Sequence, residues 1–422
     1  MTGLLKALVT ACVLATTGAQ SQYGGYATVA YGYCSVATGG YYNWVYRAYA
    51  TMRGGHYNFI YGYGASIGGG MYNTVGGSWS TVAGGWYAHA YGPHSTIAGG
   101  HSHYLFSYAA TIGGGMYNSV YGSWSYVGGG QYNRAYSSWS SIGGGYSNSN
   151  ASGGQSKGGG YASNTYAWYE TVGGGGAHYI YAYGATVNGG YANRAYGSWS
   201  NVGGGWYNWA FGRTAAIGGG HSNTMYSTSG TISGGQSNYI YDQYSTISGG
   251  HYNFIYREFC QIGGGHNNWI YGYGGSIGGG MYNSVYGYMG RVGGGLYSRA
   301  IGSYDTVGGG YYNNAYAYSS TVNGGQYNFA SSYATHVGGG GYNGVYSSYS
   351  VVGGGQSNYV YNSHAMIGGG ASNKVYGYSG SVDGGISNTA YGSWSHIGGG
   401  YSNRVFNTWG QLGGGYDNSC YG

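Results

Sequence analysis

The sequence predicts an all-β protein, a parallel β-solenoid of about 27 coils with fifteen residues and two short strands in each coil. Three observations carry that prediction. A Gly-Gly pair recurs every fifteen residues, from Gly24-Gly25 and Gly39-Gly40 to Gly414-Gly415, with no insertion or deletion. When that pair is set at positions 14 and 15 of the unit, position 5 is apolar in 25 of 27 copies and position 12 in 25 of 26. Positions 3 to 7 and 10 to 14 alternate with a period of two between Gly or Ser turns, as strands do. Helix is excluded because 100 of the 422 residues are Gly, each of which costs about 1 kcal/mol in a helix.

The composition narrows the function. With 61 Tyr, one Pro and only 4% charged residues, the chain is unlike an ordinary globular enzyme, a charged disordered tail or collagen. A net charge of +6 is too thin over this length for a nucleic-acid footprint, so no nucleic-acid partner is expected.

Taken in order, residues 1–19 read as a secretory signal peptide: Lys6, an apolar run from Ala7 to Ala15, then the small residues Thr17-Gly18-Ala19. The mature chain then begins at Gln20, and residues 20–422 form a single solenoid domain. No later stretch is apolar for long enough to span a bilayer as a helix, so secretion without a membrane anchor is expected. Within each unit the inward places are 3, 5, 7, 10, 12 and 14, which encloses a thin aliphatic layer. Asn stands at position 3 in 21 of 27 copies and should form an amide ladder. The Gly pair reads as a turn that needs φ > 0 and leaves no room for a Cβ between coils. It is not a phosphate loop, because no Gly-Lys-Ser/Thr follows. The coil at 146–160 breaks the pattern, with Asn150 and Lys157 at core places, and is expected to be irregular or open. Its Asn150-Ala151-Ser152 is the only glycosylation sequon, which makes Asn150 the glycosylation candidate.

The spacing in Asn118-Ser119-Val120-Tyr121-Gly122-Ser123-Trp124-Ser125-Tyr126-Val127-Gly128-Gly129 resembles the head repeat of YadA-like trimeric adhesins. It is also similar to the repeat of grass ice-recrystallisation-inhibition proteins. Both families form left-handed parallel β-rolls, so the resemblance implies that fold over residues 20–422. The Tyr, Trp and Gly loading looks more like a secreted animal fibre, adhesive or eggshell matrix.

The outer faces differ. Position 6 is Tyr in 20 copies and Phe in three, and position 4 is aromatic in ten. The resulting wall is the expected assembly face: Tyr31, Tyr46, Tyr61 and Tyr91, then Tyr121, Tyr136, Tyr181 and Tyr196, then Tyr241, Tyr256, Tyr271 and Tyr286. It far exceeds the apolar patch that monomers expose. Positions 11 and 13 are mostly Thr or Ser and Gly, a flat face suited to close packing or to templating ice, although Arg291, His336, Met366 and His396 protrude from it. The phenols would also suit crosslinking between chains.

Catalytic constellations are absent from the pattern. The six acidic residues sit in different coils and no nucleophile elbow occurs, so no enzyme activity and no cofactor are expected. His251 and His266 hold position 1 of successive coils, and His89, His94, His101 and His103 fall within two coils; imidazoles at this spacing could share a metal, which makes His251 and His266 weak candidates. Cys34, Cys260 and Cys420 lie in coils too far apart for pairing within a straight roll, which makes them candidates for interchain disulfides. The half-coils at 20–25 and 416–422 carry complementary strands, so the expected partner is a second copy, joined head to tail and laterally. The expected function is an extracellular structural protein of fibres or an adhesive matrix. The alternative is a ligand-binding solenoid, either ice-binding or an adhesin for a surface or polysaccharide.

Overall fold

The computed structural model describes residues 21–23 and 25–421; the expected signal segment 1–19, Gln20 and Gly422 lie outside them. Packing divides the chain into a first unit ending at Tyr207 and a second beginning at Asn208. Among the described residues there is no helix, and none long and apolar enough to cross a membrane. The first unit holds strands β1 (Ser21–Tyr23) to β25 (Asn201–Val202), and the second holds β26 (Trp209–Ala210) to β54 (Ser419–Cys420).

Each unit is a parallel β-solenoid. Residues pair with those fifteen positions on, as in Trp44 with Phe59 and Val45 with Ile60 on one side, and Thr51 with Ser66 and Met52 with Ile67 on the other. The two sides of a coil belong to separate sheets, and a single parallel bridge at position 1, such as Tyr41 with His56, ties the turn. The regular strands are shorter than expected. They cover positions 4–5 and 11–12 where the alternation suggested five residues each, because the chain bends at both ends of every coil. The bends fall at positions 2 and 9, which adopt left-handed φ with ordinary residues: 55° at Tyr57, 58° at Tyr72 and 58° at Trp79. Such a conformation costs an L-residue about 1–2 kcal/mol.

The core is the expected thin layer at positions 5 and 12. Ile60, Ile67, Val75, Val82, Val120 and Val127 are fully buried, each stabilising by about 1.5–3 kcal/mol. Position 14 does not point inward as expected. A Cβ built on Gly84, Gly129 or Gly234 meets nothing within 4 Å. The steric constraint of the pair lies on position 15, where Gly70 has φ +90° and a Cβ would sit 2.1 Å from the Gly85 carbonyl oxygen of the next coil.

The Asn ladder lines one edge of the core. Asn58 is fully buried; its Nδ2 donates to Gly54 O at 3.2 Å and Gly70 O at 3.0 Å, and its Oδ1 accepts from Asn73 N at 2.9 Å. Every coil so built satisfies one glycine carbonyl and one amide that backbone pairing leaves without a partner, and adds a second donor to Gly70 O, which already accepts from His56 N at 2.9 Å. His103 and His178 replace Asn without breaking the chain of bonds, since Nδ1 accepts the N–H of Asn118 or Asn193 at 3.2 Å.

Position 10 is held by small residues, most often a buried Ser, but Asp305 takes it in the second unit. Gly302 N and Ser320 N donate to its carboxylate at 2.6 and 2.8 Å, yet burial still pushes its pKa up to about 6. A folded pKa above the ordinary 3.8 means that this side chain stabilises fully below pH 3.8 and loses that contribution as pH rises through about 6. Asp305→Ser is therefore expected to raise the melting temperature at pH 7.5 but not at pH 3.5. Equal gains at both pH values would show that the carboxylate is not the cause.

The coil at 146–160 is not irregular or open, contrary to expectation. Its strands β18 (Ser149–Asn150) and β19 (Ser156–Lys157) pair with both neighbouring coils in the common register.

Candidate functional site

The outward side chains form stacked columns, because residues fifteen apart lie in register and one coil spacing nearly matches the thickness over which rings stack. Position 6 supplies the main column. In the first unit Tyr31, Tyr46 and Tyr61 stack with centroids 5.5 and 4.8 Å apart. Tyr91 then meets Phe106, which leads to Tyr121 and Tyr136, and Tyr166, Tyr181 and Tyr196 follow at 4.5 and 5.0 Å. In the second unit Phe211, Tyr226, Tyr241, Tyr256, Tyr271 and Tyr286 stack without a gap. Gly76 and Ala151 interrupt the column in the first unit, Ile301 and Ser331 in the second. Of the twelve tyrosines expected on this face nine are exposed, while Tyr196, Tyr256 and Tyr271 are half-buried by their neighbours. Desolvation, followed by repulsion from Tyr256 and Tyr286, pushes the Tyr271 phenol up to about 12, so this phenol stays neutral well above neutral pH. Position 4 adds a second file beside it, as in Trp44 on Phe59 at 4.8 Å and Tyr239 on Phe254 at 5.0 Å.

Two further columns were not foreseen as columns. Position 2 stacks Tyr42, Tyr57, Tyr72 and Tyr87 in the first unit and Tyr282, Tyr297, Tyr312, Tyr327 and Tyr342 in the second, at 4.8 to 5.1 Å. At the opposite turn the rings zigzag edge to face between positions 8 and 9, as in Tyr49, Tyr63 and Trp79 at 5.4 Å. The Tyr-Gly and Ser-Trp alternation has a packing cause. A Cβ on Gly64 would lie 2.6 Å from the Trp79 ring, and one on Gly184 would lie 2.5 Å from Trp199. At Trp79 and Trp199 the ring therefore requires Gly beneath it in the coil before. The left-handed backbone at position 2, as at Tyr57 and Tyr72, accompanies this outward column and carries no local sequence signal.

The face at positions 11 and 13 carries short side chains, with Ser66 Oγ donating to Thr81 Oγ1 at 3.2 Å. Tyr126 and Met366 project from it and are exposed.

Several expected sites change. Cys260 cannot serve as an interchain disulfide in the folded chain: it is 2% exposed, its Sγ donates to Gly272 O, and burial pushes the thiol up to about 11. Cys34 and Cys420 are partly accessible free thiols. Asn150 cannot accept a glycan in the folded chain, because it is fully buried with Nδ2 donating to Ser141 O at 3.2 Å. His251 and His266 stand edge to face 6.4 Å apart, and His266 also meets Tyr252 and Tyr282, so both belong to the aromatic packing. Among the described residues no three His, Cys, Asp or Glu are placed to share a metal ion.

What pattern reading did not anticipate is a polar island inside the first unit. Lys157 is 1% exposed, and its Nζ donates to the carbonyls of Ser149 and Ser163. Glu170, fully buried at position 10 of the next coil, accepts from Gln155 Nε2 at 3.0 Å through Oε2, while its Oε1 has no partner. Thr165 Oγ1 lies 2.8 Å from Gln155 Oε1 and 3.0 Å from Asn150 Oδ1. Burial pulls the Lys157 ammonium down to about 7 against the opposing effect of Glu170, and burial pushes the Glu170 carboxyl up to about 8. Each group thus favours its uncharged form.

No protein-family model and no curated protein matches the chain, so the likeness to adhesin heads and ice-recrystallisation rolls holds at the level of a parallel β-solenoid of fifteen-residue repeats.

Proposed function

We propose that this chain is a secreted structural protein that associates side to side through its position-6 aromatic column, building extracellular fibres or an adhesive matrix. One observation supports this most: the column runs in unbroken stretches of up to six rings within a unit while most of its rings remain exposed, Tyr121 at 44% and Tyr136 at 43%. An exposed aromatic surface that long goes beyond the few hundred Å² usual on a monomer, and a second copy would cover it with rings of matching spacing. The side chains contribute about 0.5–1.5 kcal/mol per stacked pair within the chain, which is too little to require so many.

Replacing Tyr121, Tyr136, Tyr181 and Tyr196 by Ser is expected to leave the β-sheet circular dichroism signal in place and to reduce light scattering and fibre yield several-fold. Loss of the β signal together with association would make the column structural and remove the interface claim.

A polysaccharide-binding reading has one observation of its own. Where position 4 is small, at Ser119, a groove of about 420 Å³ opens between Tyr117 and Tyr132 on one side and Tyr121 and Tyr136 on the other, with Arg134 at its end. Facing rings beside a guanidinium suit a sugar ring. Binding of a soluble glycan that is lost in Tyr117→Ser but kept in Tyr282→Ser would favour it over self-association.

A further inference from the structure

The polar island at 149–170 calls for a use, because it replaces the aliphatic layer only there. Asn150 and Lys157 hold positions 5 and 12 of one coil, Thr165 holds position 5 of the next, and Glu170 is the one buried Glu among the described residues. We propose that Lys157 and Asn150 are joined by an intramolecular isopeptide bond, formed in the folded core with Glu170 as the proton carrier.

The geometry brings the reacting residues to one place. Lys157 Nζ touches Ser149 O, the carbonyl of the peptide that leads into Asn150. Thr165 Oγ1 lies 3.4 Å from that same oxygen and 3.0 Å from Asn150 Oδ1, so the carbonyl that holds the amine and the carboxamide oxygen share one hydroxyl neighbour. Water has no access: Asn150, Thr165 and Glu170 are fully buried and Lys157 nearly so. Gln155 links Glu170 to Thr165, and through it to the Asn150 carboxamide.

The chemistry follows from burial. A desolvated lysine loses its proton easily and offers a lone pair, and a desolvated glutamic acid keeps its proton and can give it. The Lys157 amine attacks Asn150 Cγ and forms the Nζ–Cγ bond. The Cγ–Nδ2 bond breaks, and Nδ2 leaves as ammonia. The Glu170 carboxyl supplies a proton to the leaving nitrogen and recovers one from Nζ. The net change is amine plus carboxamide to secondary amide plus ammonia, with no oxidant or other co-reactant. The product removes a buried titratable amine and staples the two sheets of the roll to each other.

Peptide mapping of the purified full-length protein, denatured and then digested with trypsin, tests the proposal. Lys157 is the one tryptic site between Arg134 and Arg194. The expected product is residues 135–194 as one species, uncut at Lys157, lighter than its sequence by about 17 Da for the lost ammonia. Backbone fragment ions from cleavage between 150 and 157 should be missing, because the crosslink closes that segment into a loop. Glu170→Gln, in protein that keeps the β-sheet circular dichroism signal, should give at least a ten-fold smaller crosslinked fraction. Cleavage after Lys157 with peptides of full sequence mass overturns the proposal. So does a loss of about 17 Da from a peptide still cut at Lys157, which is a succinimide at Asn150. Full crosslinking in the Glu170→Gln protein overturns the role given to Glu170.

Discussion

Gly235→Ala is expected to destabilise the second unit by more than about 4 kcal/mol, whereas Gly234→Ala, one residue earlier, should change stability by less than about 1 kcal/mol. The two glycines are adjacent members of the same repeated pair and differ only in what surrounds them. Gly235 stands at position 15 with φ +89°, and a Cβ there would lie 2.1 Å from Gly250 O, 2.9 Å from Gly250 N and 2.7 Å from Asn238 Nδ2. Gly250 is backbone of the next coil, held by its own contact with the Asn ladder, since Asn238 Nδ2 donates to its carbonyl at 2.9 Å. Neither partner can yield without parting two coils. Gly234 has open space where the Cβ would go, and its φ lies outside the left-handed region. Chemical denaturation of the two variants measures the difference, and hydrogen exchange over 221–265 should locate the damage. Equal tolerance of both substitutions would mean that coil stacking is looser than the contacts imply.

The next largest effect is expected from Asn373→Asp, a change of one NH₂ group to oxygen. Asn373 Nδ2 donates to Gly369 O and Gly385 O, both at 2.9 Å, while Oδ1 accepts from Asn388 N at 2.9 Å. An ionised Asp keeps the last bond but turns an acceptor toward two carbonyl oxygens in a site with no exposure. The loss should be about 3–5 kcal/mol at pH 7, as for other uncompensated buried charges. Acidification should recover part of it. Burial raises the folded pKa of such a carboxyl, so its neutral form, which has one proton to donate, returns stability as pH falls through that value. Thermal denaturation at pH 7 and pH 4 reads both effects. A variant as stable as the parent at pH 7 would show that the ladder is ornamental to the fold.

Much of this was legible in the residues. The fifteen-residue period set the coil, the aliphatic positions 5 and 12 located the core, and Asn at position 3 announced its ladder, each because one residue type recurs where one local environment recurs. The burial of Cys260 and Asn150 followed from their positions 10 and 5, although a reactive side chain and a sequon pointed outward. Position 14 misled, because alternation carried inward from the strand does not reveal where the chain bends.

By itself the sequence determined the period, the inward and outward sets and the chemistry of each face. Only the tertiary structure decided which member of the glycine pair is sterically bound, why Trp79 sits over Gly64, and how Lys157, Asn150 and Glu170 come to share one buried polar island. The reason is physical. Those outcomes depend on atoms fifteen or more residues away that coil stacking brings within contact, and on left-handed turns at ordinary residues such as Tyr57, which neighbouring coils impose and no local preference signals.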